Sequence, residues 1–206
     1  MRTRFLLLAI ILLSGCSRSA LTTDDLKDGD LLFVVNGGGN NITSVTEGVG
    51  GAGIDHVAIY SNGNVIEAIP ARGVVEAPLD SFMVRLTDSE TLLVGRVRGL
   101  DVPHSVENAR KFIGLPYDDI FMPGDSAIYC SELVQRSYVT KPSAGKGVKA
   151  VFETIPMSFH DSTGCVTEFW TKFYAARGLA VPEGEPGTNP GQISRDPRVR
   201  ILGFLK

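Results

Sequence analysis

The sequence predicts an α+β fold in which an antiparallel sheet, or a partial barrel, packs against helices. Three runs carry the β part: His56-Val57-Ala58-Ile59-Tyr60, Asn64-Val65-Ile66-Glu67-Ala68-Ile69 and Gly73-Val74-Val75-Glu76-Ala77. They are rich in β-branched residues and separated by turn formers such as Ser61-Asn62-Gly63, a spacing that only hairpins satisfy, so they form a meander. Helical patterns at 103–112, 130–139 and 165–177 supply the packing layer.

Taken in order, the chain opens with Arg2 and Arg4, then an apolar run over 5–13, then Leu13-Ser14-Gly15-Cys16. That run is too short to span a bilayer and has the layout of a secretory signal. It resembles a bacterial lipoprotein signal, which implies cleavage after Gly15, lipid on Cys16 and a membrane anchor on the exported side. Ser17 points to the outer membrane in a Gram-negative host. Residues 16–22 then form a tether, and 23–206 one folded domain. Thr22-Thr23-Asp24-Asp25 reads as a capped helical turn, and Asp30 to Val35 as a buried strand. The Gly- and Asn-rich stretch 36–53, with a helix expected over 42–49, lacks the Gly-Lys-Ser/Thr ending of a phosphate loop and is read as a loop beside the site.

After the meander, 79–86 reads as a helix with Asp80 in its first turn, and 91–97 as a strand. Pro103 opens the helix over 103–112 and Gly114 follows it. Phe169, Trp170, Phe173 and Tyr174 recur at helical spacing within 165–177, and that stripe is expected to be core. Residues 182–191 are almost all turn formers, leading to a last strand over 199–204.

Composition limits the partners. With 43% hydrophobic residues, 21% charged and a net charge of −3 over 206 residues, the chain offers no basic field for nucleic acid. No two histidines or cysteines stand at ligand spacing, so no metal or cofactor is expected.

The chemistry gathers at Cys130. A thiol at a helix start meets free N–H groups and the positive end of the helix dipole, which favour the thiolate and offer an oxyanion donor. Ser131-Glu132-Leu133-Val134 has the order of a first turn leading onto a core. The alternative for an exported chain is a Cys130–Cys165 disulfide. Of three histidines, His104 falls in the first turn of a helix and His160 in a polar loop, whereas His56 opens a strand that would orient its ring. A third group should fix that ring. Glu67 is one β-hairpin away, with Ile66 and Ala68 turned to the opposite face. A solvated Glu67 is the competing reading, with Asp55 as the fallback.

Five segments also resemble a known family. Lys27-Asp28-Gly29-Asp30-Leu31-Leu32-Phe33, Ile54-Asp55-His56-Val57-Ala58-Ile59-Tyr60, Val65-Ile66-Glu67-Ala68, Phe112-Ile113-Gly114-Leu115-Pro116-Tyr117-Asp118 and Tyr129-Cys130-Ser131-Glu132-Leu133-Val134 look like the YiiX/YebB-like branch of the NlpC/P60 cysteine hydrolase superfamily. The resemblance spans 27 to about 140 and implies a circularly permuted papain-like fold, in which the histidine strand precedes the cysteine helix. It implies Cys130 as nucleophile, His56 as base, Glu67 as the orienting residue and Tyr117 as a helper at the oxyanion site. The expected activity is amide hydrolysis through an acyl-enzyme. Cell-wall peptides are the first expected substrate and acyl lipids, as amides or esters, the second. An idle binding module on the same fold is the reading from another class.

Overall fold

The computed structural model describes residues 21–141 and 147–205. The expected signal at 1–15, its Cys16 and the expected tether up to residue 20 lie outside the described residues. Leu21, at the end of the expected tether, already pairs with Leu205. The expected capped turn is a single one at Thr23–Asp25, closed by a capping box between Thr22 and Asp25.

The frame is a six-stranded sheet. Its strands are β1 (Asp30–Asn36), β2 (Ile54–Ser61), β3 (Asn64–Ile69), β4 (Gly73–Pro78) and, after the short helix α1 (Leu79–Met83), β5 (Glu90–Val97). Helices α2 (Val102–Lys111) and α3 (Cys130–Ser137) follow. The last third holds the small pair β6 (Ile155–Pro156) and β7 (Pro186–Gly187), with α4 (Glu168–Ala175) between them, then α5 (Pro190–Arg195) and β8 (Val199–Phe204). Across the sheet the order is β4-β3-β2-β1-β5-β8, every pair antiparallel. The predicted meander therefore forms one flank of the sheet.

The continuous apolar run of β1 is explained by cover on both faces. Leu31 and Phe33 face α2 and α3 in the larger core, with Leu133, Tyr138 and Phe152. Leu32 and Val34 face the other way, against Leu79 and Phe82 from α1. Each such side chain contributes about 1.5–3 kcal/mol when fully buried. Asp30 is buried as well, but its carboxylate meets Arg96 across the β1–β5 register at 2.6 Å, and Tyr138 Oη donates to the Gly29 carbonyl. The Lys27-Asp28-Gly29-Asp30 motif is thus structural.

Gly73 sets the distance between β4 and the segment after α2. Its φ of +68° is left-handed, and a Cβ there would sit 2.1 Å from the Leu115 carbonyl oxygen, to which Val74 N–H donates. This contact fixes Pro116 and Tyr117 beside the sheet.

Three expected helices differ. Residues 42–49 make turns, because the Asn40 side chain accepts from the N–H groups of Ile42 and Thr43 and glycines follow, leaving only a short turn at Val49–Gly51. The helix expected over 165–177 starts at Glu168, where Thr167 caps the N–H of Trp170. The one expected over 79–86 ends at Met83.

Candidate active site

Cys130 is the first residue of α3, and the preceding Tyr129 is extended (φ −102°, ψ 172°) with no side chain capping the helix. The first-turn N–H groups therefore have no helical partner and lie beside the thiol, which is 5% exposed. Cys130 and Cys165 are both free, so the disulfide alternative falls.

His56 reaches the thiol from β2. Between Val34 and Val35 the β1–β2 register shifts by one, leaving Asp55 as the extra residue of a bulge beside His56. Because Ile59 pairs with Ile66, alternation puts Glu67 on the same face as His56. The His56 Nε2 lies 2.9 Å from a Glu67 carboxylate oxygen, and the Cys130 thiol is the ring's other polar neighbour. Nε2 being taken, Nδ1 is left for the sulfur. Phe82 stacks on the imidazole at 6.3 Å.

The remaining sequence candidates separate cleanly. Tyr117 lines the cavity that contains Cys130, held there by a bridge to Ile128. The Asp55 carboxylate is taken by the side-chain amides of Asn36 and Asn40, so it anchors the 36–53 loop and leaves the ring to Glu67. His104 bonds to Asp101 and His160 to Ser158 and Glu183, and neither lines the cavity.

A cysteine, a histidine upstream of it and an acid orienting that histidine, in this chain order, is a permuted papain arrangement. The model of the family described as "permuted papain-like amidase enzyme, YaeF/YiiX, C92 family" matches residues 25–203. The chain belongs to this family. As a permuted papain-like amidase it is a hydrolase of amide bonds. No curated protein matches it. Among solved structures, metalloprotein YiiX from Escherichia coli O157:H7 aligns with a TM-score of 0.63 at 22% identity, over 86% of this chain and 96% of that one, which shows the shared fold. Among the described residues of this amidase, no group of three or more His, Cys, Asp or Glu is placed to hold a metal ion.

The charges of the amidase site support one another. Burial alone would push the His56 imidazole down, but hydrogen bonds to Cys130 and Glu67, together with their negative charge, lift it to about 10. Burial pushes the Glu67 carboxyl up, and His56 and Arg85 overcome it and hold the group below the usual carboxylate range. The Tyr117 phenol is raised well above the ordinary tyrosine value, first by burial and then by the charge of Cys130, so it stays a donor. The set thus faces the thiol with an imidazole that keeps its proton well above neutrality, with N–H donors nearby.

Several wall residues of the amidase cavity were not expected from the sequence. Its lining is mainly apolar, with Ile42, Val45, Phe121, Met157, Phe159 and Trp170 around Cys130. The cavity is about 60 Å³ and shares Ile42, Tyr117, Phe121 and Trp170 with a neighbouring cleft of about 280 Å³ that also meets Phe169 and Phe173. The aromatic stripe is therefore only partly core: Tyr174 and Trp170 are buried, Trp170 doubles as cavity wall, and Phe169 is 40% exposed. Phe121 sits at a left-handed φ of +52°, unusual for a bulky residue, in a turn whose N–H groups point at the Asp118 carboxylate. The turn-rich tail is pinned to the helix start: Thr188 N–H donates to Tyr129 Oη, and the Thr188 hydroxyl to Ser131 Oγ. Gly187 permits this approach, since a Cβ would lie 2.3 Å from Met157 Sδ.

Glu132 is the third residue of α3, with Arg136 one turn further on at 3.5 Å. Its Oε2 is buried without a partner, and burial, opposed by Arg136, lifts the carboxyl to about 7. An acid raised in the folded state costs nothing below its unfolded value of 4.5, and the cost grows until about pH 7 and stays constant above. Glu132→Gln is expected to match the wild type at about pH 4 and to melt at higher temperature above about pH 7. Thermal unfolding of both proteins across that range checks it.

Proposed function

We propose that this amidase is an exported, lipid-anchored cysteine hydrolase that cleaves amides bearing an apolar acyl group through an acyl-enzyme. The observation that carries the reading is the lining of the Cys130 cavity, where aliphatic and aromatic side chains surround the thiol and Asp55 is the single acidic side chain, with no Lys, Arg or His. A peptide-stem carboxylate placed there would meet no Lys, Arg or His in the lining and would be desolvated and unpaired, at a cost of several kcal/mol. An acyl chain gains about 0.8 kcal/mol for each buried methylene instead. The sequence expectation of cell-wall peptides thus gives way here to its second candidate, the acyl amides.

In this reading the Cys130 thiolate attacks the carbonyl carbon, and the oxyanion turns to the first-turn N–H groups of α3 and the Tyr117 phenol. The C–N bond breaks as His56 gives its proton to the leaving amine, which places that amine on the His56 side. Water, deprotonated by His56, then cleaves the thioester and releases the acid. Glu67 keeps the ring aimed throughout. Lipid on Cys16, supported by Arg2, Arg4 and the Leu-Ser-Gly-Cys run, would hold the cavity beside a membrane that contains such substrates.

The test sets N-octanoyl and N-acetyl amides of one amine beside labelled muropeptides. The octanoyl amide is expected to exceed the acetyl amide by more than about tenfold in kcat/KM. Turnover of the muropeptides with none of the acyl amides would overturn the reading.

A further inference from the structure

We infer that Arg85 is a positioning residue of this site, fixing the second oxygen of the carboxylate that aims His56. The inference rests on the assignment of Cys130, His56 and Glu67 as the reacting set. Glu67 is 2% exposed and its two oxygens are shared out: Oε2 meets His56 Nε2, and Oε1 receives a hydrogen bond from Arg85 Nη2. A carboxylate held at one oxygen alone swings about that contact; held at both, it presents a single edge to the imidazole.

The guanidinium is itself fixed. Nε donates to the Ser81 carbonyl at 3.3 Å, and the group lies 5.4 Å from the Phe82 ring centre. Phe82 in turn stacks on His56. One short helix, α1, thus supplies both an aromatic plate on the imidazole and, just past its end, the cation on the imidazole's partner. The charged and titratable groups that share this groove are Asp55 and His56 from β2, Glu67 from β3, Arg85, Glu90 from β5 and Tyr117, with Cys130 facing His56 from α3. Asp55 is occupied by Asn36 and Asn40, and Glu90 by Thr87. Arg85 is the fixed cation of the groove and the Glu67 carboxylate its counter-ion.

A fixed positive charge makes every nearby proton easier to remove, so losing it moves the site's titrations to higher pH. Iodoacetamide alkylation of Cys130, followed on the peptide that contains it by mass spectrometry across pH, reads this without a substrate. The acid limb of that profile is expected to move up by about one unit in Arg85→Ala and Arg85→Gln and to return in Arg85→Lys. With the octanoyl amide, kcat/KM is expected to fall about tenfold in Arg85→Ala. A role in packing alone would change the rate with the limb in place and would leave Arg85→Lys unrescued, and either result overturns the inference. Cys130→Ala and His56→Ala run alongside: if they retain turnover, the assignment of the reacting set fails; if they lose it while the Arg85 limb stays put, only the role of Arg85 fails.

Discussion

Replacing Cys130 with alanine is expected to reduce amide hydrolysis by about 10⁴-fold or more, because the residues that remain can orient a substrate but cannot form an acyl-enzyme. The fold should survive. α3 is held to the sheet by Leu133, Val134 and Ser137, and its start is tied to the tail through Ser131 and Tyr129, none of which depends on the sulfur. Thermal unfolding within a few degrees of the wild type, together with lost turnover, is the expected pair of results. Alkylation adds a second reading of the same thiol. Cys165 is exposed and Cys130 only 5% exposed, so access alone would favour Cys165. Faster labelling of Cys130 near neutral pH would show activation outweighing access. Equal, slow labelling of both, with turnover retained in Cys130→Ala, would point to another nucleophile or to an idle module.

The parts of this site legible in the sequence were those carried by local order. The polar-then-apolar order of Ser131 to Val134 marks Cys130 as a helix start, and strand alternation within one hairpin puts Glu67 on the face of His56. Both follow from periods of a few residues. The bulge at Asp55 was not legible, because it depends on how β2 pairs with a strand twenty residues earlier. Arg85 and Phe82 were missed for a similar reason: they belong to a short helix whose position over the sheet is decided by Leu79 and Phe82 entering the smaller core. Trp170 was visible as part of an aromatic stripe, but spacing alone cannot separate a ring that fills a core from one that walls a cavity. Here it does both. Thr188 gave no signal at all, being one polar residue in a run of turn formers, and only Tyr129 and Ser131 make it matter.

The second large effect is expected at Glu67. Glu67→Gln keeps an oxygen that can accept from His56 Nε2 but removes the negative charge that helps hold the imidazolium at about 10. The alkaline limb of kcat/KM, where His56 loses its proton, should therefore move down toward neutrality, and the maximum should fall by about 10- to 100-fold. Stability should follow the same sign. A histidine raised above its ordinary 6.5 contributes stabilisation that is complete below that value and is lost as pH rises to about 10, so Glu67→Gln should narrow this window from its alkaline side. Arg85, left without its counter-ion, keeps 44% of its side-chain surface in water, which limits the cost of the unpaired charge. The two variants at this contact should thus move the profile in opposite directions, Glu67→Gln to lower pH and Arg85→Ala to higher. General loosening of the site would lower both activities and leave both limbs where they were. Opposite displacements would identify the shared carboxylate as the electrostatic hinge between His56 and Arg85.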